Sequence, residues 1–244
     1  MSRRAAGRRD RRLVGFRAGL AAAADPEHAA FHRRYHKSEL RFHGLRNEPL
    51  RALVRTCFPR RPKPDRDDAL GLVRALWSSD WFEERQAALL LLERHAAMLV
   101  PDDLPWLGAM TRDCAGWAHL DLLAVKVLGA LALARPDAVY PVVRGWSDDS
   151  WMWSRRAAIL VHVLPARRRQ LDQEVAFTTF DERLHETEFF IRKAIGWALR
   201  EACRHYPQEV YDFLARAGDR ASGLTRREGA RKLPEALRLR LLGR

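Results

Sequence analysis

The chain has 244 residues, 47% of them hydrophobic and 31% charged, which is ample for a core. Its longest uncharged apolar runs, such as LGALALA, are too short to span a bilayer. A net charge of +13 favours a polyanionic partner, because each phosphate neutralised releases condensed counterions.

Nucleic acid is the first candidate for that partner and an anionic membrane surface the second; a generally basic composition is the bland alternative. Cys57, Cys114 and Cys203 are odd in number and form no CxxC. They supply no disulfide framework and suit a reducing, cytoplasmic setting.

Residues 1–12, MSRRAAGRRDRR, carry six arginines against one aspartate. They read as a disordered basic tail, either an arm for nucleic acid or a segment resembling an organellar presequence. Residues 13–244 read as a single all-α domain. Strand signals are nearly absent, and helical segments are expected at 13–24, 27–42, 47–58, 66–78, 80–98, 102–111, 115–134, 136–146, 149–164, 167–179, 187–205, 207–217 and 225–241.

In the second segment His28, His32 and His36 recur every four residues. With no HExxH and no cysteine or carboxylate to complete a ligand set, the stripe reads as a solvated face, and no metal is expected. Proline opens helices in RPDAVYPVV and YPQEVYDFLA, where its missing N–H is no loss. TRRE at 225–228 has a capping-box pattern, with Thr225 at N-cap and Glu228 at N3.

Three stretches share one plan: SDWFEERQAALLLLERH, DDSWMWSRRAAILVHVL and HETEFFIRKAIGWALREA. Each has an acidic or tryptophan-bearing start, then basic residues, then alanine- and leucine-rich turns. The plan predicts degenerate HEAT-like helical pairs stacked as a superhelical solenoid; a plain helical bundle is the alternative.

Helical phasing places individual residues. Trp117 and Asp121 are four apart, hence on one face, with Ala124 and Leu128 following. A carboxylate between an indole and apolar turns is partly desolvated, which raises its pKa and suits it to general-base work or to stabilising a cation, unless it merely pairs with a base.

Arg156 falls on the apolar stripe of Leu160 and Val163. That is a bidentate phosphate ligand or an interhelix salt bridge. In FFIRKAIGWALRE and just beyond, Lys193, Trp197, Arg200 and Arg204 share a stripe opposite Ile191, Ile195, Ala198, Leu199 and Ala202. Gly196 borders that stripe, at a cost of about 1 kcal/mol against alanine that a close backbone approach would offset. Trp197 either faces a ligand or packs under a neighbouring helix.

Taken together, EFFIRKAIGWALREACRHYPQEVYDFLAR, WMWSRRAAIL, LTRREGARKL and YHKSELRFHGLRNEPLRALVR resemble the AlkD-like DNA alkylation repair family, HEAT-like repeat glycosylases, over about residues 30 to 235. The resemblance implies a solenoid with a concave basic groove that binds duplex DNA containing alkylated bases. It further implies hydrolysis of the N-glycosidic bond of cationic N3- or N7-alkylated purines, without obligatory base flipping and without cofactor.

The family's two sugar-facing tryptophans and its catalytic aspartate fall on Trp117, Trp197 and Asp121, and its phosphate-contacting arginine on Arg156. Lys193, Arg200, Arg204, Gly196 and Lys37 complete the expected DNA-contacting set of a monomeric, cytoplasmic enzyme. One departure stands out: Ala118 occupies a position where the family often has aspartate, and His119 follows. Relatives that only bind DNA, branched DNA included, and glycosylases for bulky genotoxin adducts therefore stay open.

Overall fold

A computed structural model of the chain describes residues 3–62, 64–114 and 116–243. Residues 1 and 2 of the basic tail, and residue 115 at the start of the segment 115–134, lie outside them. The helices are α1 (Arg3–Ala22), α2 (Pro26–His36), α3 (Asn47–Cys57), α4 (Arg66–Trp77), α5 (Phe82–Arg94), α6 (Leu104–Asp113), α7 (Trp117–Leu122), α8 (Gly129–Ala134), α9 (Pro136–Gly145), α10 (Met152–Leu160), α11 (Val163–Arg167), α12 (Gln173–Glu182), α13 (Phe189–Ala202), α14 (Pro207–Ala217), α15 (Gly223–Gly229) and α16 (Glu235–Leu242).

No strand forms among the described residues; a single isolated bridge joins Arg41 and Trp81. The architecture is all-α. Where the sequence suggests one domain from residue 13, the helices gather into two units, Met1–Met98 and Leu99–Arg244.

In the first unit, Phe16 and Leu20 of α1, Leu70 and Leu76 of α4, and Leu89 and Leu91 of α5 are fully buried. Helix α1 starts ten residues earlier than expected. Alanine and arginine are both good helix formers, so the arginine-rich head extends the helix and is not a disordered tail over the described residues.

Two carboxylates inside this unit have clear partners. Glu84 takes a bidentate ion pair from Arg17, and Glu83 accepts the backbone N–H groups of His43, Gly44 and Leu45. Gly44 has φ +89 and packs against the Asp25 carbonyl, where a side chain has no room.

The histidine stripe is not the solvated face that its spacing suggests. The His28 and His32 rings lie 4.1 Å apart, tilted by 51°, and His36 lies 4.9 Å from the Phe82 ring and 6.1 Å from Phe42. The three imidazoles are half-buried in an aromatic seam, and burial lowers the pKa of His32 and His36.

The second unit is built around one long helical run. It is α-helical at Trp117–Leu122, π-helical at Leu123–Leu128 and α-helical again at Gly129–Ala134. The window Trp117–Ala134, of mean hydropathy 1.6, is long and apolar enough by composition to cross a membrane, which the sequence reading did not anticipate. It nevertheless contains Asp121 and Lys126, and 56% of it is buried, with Leu123, Ala124, Val127 and Leu128 inaccessible. That is the pattern of a core helix wrapped by its neighbours.

The shared plan of the three repeat stretches has a local cause. Arg85, Arg155 and Arg192 each fold back six residues to donate to a backbone carbonyl, that of Ser79, Asp149 and Glu186 respectively. Each guanidinium thereby fixes the chain that enters its helix. The pattern at 225–228 turns out differently. Ser222 caps α15 by accepting from the Thr225 N–H, while the buried Thr225 hydroxyl donates to the Arg192 carbonyl.

Candidate functional site

Asp121 sits on the first turns of the central run, and Arg156 reaches it from α10. The guanidinium is bidentate, with Nε donating to Oδ1 at 2.8 Å and Nη2 to Oδ2 at 2.9 Å. Its remaining nitrogen, Nη1, donates to the Phe190 carbonyl at the start of α13. The Phe190 ring lies 5.8 Å from the guanidinium and 5.0 Å from the Trp153 ring. One arginine therefore ties three helices together.

The side chain of Arg156 is 4% exposed and that of Asp121 18%, so the carboxylate keeps an open edge and the arginine does not. Burial pushes the Asp121 carboxyl above the usual carboxylate range, and the Arg156 hydrogen bonds and charge pull it partly back. The salt-bridge reading of Arg156, open at the sequence level, is the one realised; its fork is filled by Asp121 and does not face outward as a phosphate ligand.

Trp117 is the first residue of α7 and is half-buried; Ala118 is half-buried and His119 buried. Just ahead of that helix, the Trp151 indole donates to the Cys114 carbonyl at 3.3 Å while remaining 43% exposed.

On α13 the predicted division of faces is present. Ile191, Ile195, Ala198, Leu199 and Ala202 are buried, and Trp197 is half-buried on the other side. The Trp197 indole makes no hydrogen bond and no ring contact among the described residues. Lys193 is exposed, its Nζ 5.8 Å from the centroid of the exposed Phe189 ring.

Arg200 is half-buried and engaged with Glu228 and Glu201, so it joins α13 to α15 and is not a free basic residue. Arg204 is exposed but lies past the end of α13. Gly196 does not leave room for a nucleic acid. It is buried, and a Cβ there would stand 2.7 Å from Glu228 Cβ and 3.2 Å from the Thr225 carbonyl oxygen. Its absent side chain lets α15 approach α13.

Lys37 belongs to the first unit, exposed in the left-handed conformation that ends α2. The structure thus joins Asp121 to Arg156 and sets Lys193 outward, while Gly196 and Arg200 belong to the helix contact. Sequence reasoning missed Phe190, whose carbonyl anchors Arg156, and the exposed Trp151. The doubled phenylalanine and the WMW triplet were the available signals. No group of three or more metal-ligating side chains converges among the described residues.

Comparison with known proteins supplies the family. The family model for DNA alkylation repair enzymes matches residues 16–233. Among solved structures, a predicted DNA alkylation repair enzyme from Enterococcus faecalis superposes with a TM-score of 0.77 at 22% identity, covering 87% of this chain and 97% of its own.

AlkD2 from Streptococcus mutans superposes with a TM-score of 0.57 at 16% identity, covering 76% of this chain and 89% of its own. The protein smu.31 from Streptococcus mutans UA159 gives the same TM-score at 15% identity, covering 77% and 92%. At these identities the superpositions speak for the fold, that of AlkD-type helical repeat proteins. A search of curated protein sequences found no match. The family model spans most of the chain, and the chain belongs to the DNA alkylation repair enzyme family.

Proposed function

We propose that the protein is a DNA glycosylase that hydrolyses the N-glycosidic bond of cationic N3- or N7-alkylated purines in duplex DNA, leaving an abasic site. The observation that carries this reading is the Asp121–Arg156 pair: a carboxylate held by two charge-assisted hydrogen bonds, with part of its surface still open.

Alkylation at N3 or N7 makes the base a good leaving group, so bond cleavage puts cationic character on the sugar. A fixed carboxylate stabilises that charge without reorganising during the reaction, and it orients the attacking water. Trp117 and Trp197, both half-buried, supply aromatic faces that attract a cation. Arg156 acts by holding Asp121 ionised and correctly turned, and the phosphates fall to exposed cations such as Lys193.

The test is incubation with duplex DNA carrying 7-methylguanine or 3-methyladenine, scored for free base. Release that disappears in Asp121→Asn supports the reading. Absence of release from every cationic lesion, with duplex binding intact, replaces it with a DNA-binding protein that does no chemistry.

A further inference from the structure

A second arginine site, in the first unit, is far less neutralised than Arg156. Arg51 and Arg55 on α3, Arg60 in the loop that follows, and Arg94 at the end of α5 line an open cleft of about 570 Å³, within the range of about 300–1,000 Å³ usual for ligand sites. Its remaining wall is mostly apolar, from Val54, Leu90 and Pro59, and Glu93 is the one carboxylate on it.

Arg94 is half-buried and donates to the Phe58 carbonyl, with no carboxylate on its guanidinium among the described residues. Burial lowers its pKa, and the neighbouring charges of Arg60 and Arg55 lower it further. Arg55 holds Glu48 at 2.8 Å in an exposed pair, whereas Arg51 and Arg60 are exposed and make no ion pair among the described residues.

A solvated basic surface spreads its cations apart; here four guanidiniums line one cleft, and the charges of Arg60 and Arg55 act on Arg94. Buried Val54 and Leu90 beneath them reduce dielectric screening and strengthen the field in the cleft. Guanidinium forks match the paired oxygens of a phosphoryl group. We propose that this cleft is a binding site for phosphoryl groups, taken either from a nucleic-acid backbone or from a free phosphorylated small molecule.

The test uses the full chain with two probes. Inorganic pyrophosphate is titrated by calorimetry, and an undamaged DNA duplex is titrated across a salt series by fluorescence anisotropy. Arg51→Ser combined with Arg60→Ser removes two exposed cations that carry no structural bond. Arg33→Ser with Arg34→Ser, exposed on α2, controls for net charge.

Pyrophosphate affinity should fall at least about tenfold in the cleft variant and stay unchanged in the control. If the source is a DNA backbone, the salt slope also falls by about two, near 0.9 for each phosphate no longer neutralised; if the source is a free ligand, the slope holds. Equal pyrophosphate binding by wild type and cleft variant, or equal loss in the control, together with an unchanged slope, overturns the proposal. The backbone arm rests on the protein binding DNA at all. A wild type that ignores duplex defeats that reading while the pyrophosphate arm still judges the cleft.

Discussion

Arg156 and Arg94 are the same residue type in opposite circumstances. Arg156 is buried with every nitrogen directed at an acceptor, two at Asp121 and one at Phe190. Arg94 is half-buried with one carbonyl and two repelling arginines for company. The difference teaches that a charge of +13 indicates a class of partner but does not say which cations meet it. Much of this chain's arginine is already engaged with its own carboxylates: Arg17 with Glu84, Arg155 with Glu186, Arg167 with Glu201, Arg200 with Glu228. Cations left unneutralised are the ones available to phosphate.

The largest test of that contrast removes the carboxylate from the neutralised site. Asp121→Asn should lower the single-turnover rate of base release by about 10²- to 10⁴-fold, the range for a positioned acid–base group, while duplex affinity in an anisotropy assay stays within about twofold.

Arg156→Gln comes next. Withdrawing one member of a buried pair costs about 3–5 kcal/mol, to be read from urea unfolding at neutral pH. The same substitution removes what holds the Asp121 pKa down. Activity requires the ionised form and is lost as pH falls, so the acid limb of the pH–rate profile should move to higher pH. A limb that stays in place would mean that Asp121 ionisation does not control the rate.

A smaller effect separates helix packing from DNA contact on α13. Gly196→Ala should destabilise the fold by about 1–3 kcal/mol, because the new methyl overpacks against Glu228, and should leave the salt dependence of DNA binding untouched. The smallest effect belongs to the exposed lysine: Lys193→Ala should reduce the salt slope by about 0.9 with stability unchanged. If Gly196→Ala changed the slope and Lys193→Ala did not, the assignment of the two faces would be reversed.

The all-α class, the core face of α13 and the repeated stretches were legible because a 3.6-residue period is local and one helix shows it unaided. What escaped depends on partners distant in sequence. Arg156 meets Asp121 across thirty-five positions, so spacing alone left it between phosphate ligand and salt bridge. The histidine stripe looked solvated because Phe82 belongs to another segment, and because Phe42, at the end of the expected segment 27–42, meets His36 only where the helix has already ended at His36. Gly196 was rightly read as a place of close approach, but only packing could show that the visitor is α15. The capping pattern at Thr225 failed for a related reason: Ser222 was nearer the true helix start, and the threonine hydroxyl was drawn to Arg192.

The π-helical turn at Leu123–Leu128 has a consequence for how insertions and deletions act on this gene. An i→i+5 ring holds one residue more than an α ring, so the segment behaves as an insertion already absorbed. Deleting a single codon there lets the run close as ordinary α-helix with its hydrogen bonds intact. The end bearing Trp117 and Asp121 then keeps its phase against the buried end that follows, whereas a codon lost from the α-helical Trp117–Leu122 or Gly129–Ala134 turns one part of the run by about 100° against the other. Both deletions would keep a helical spectrum, but only the one inside the π turn leaves Asp121 facing Arg156, so the run has one segment where a frame-preserving lesion spares the phase of the helix.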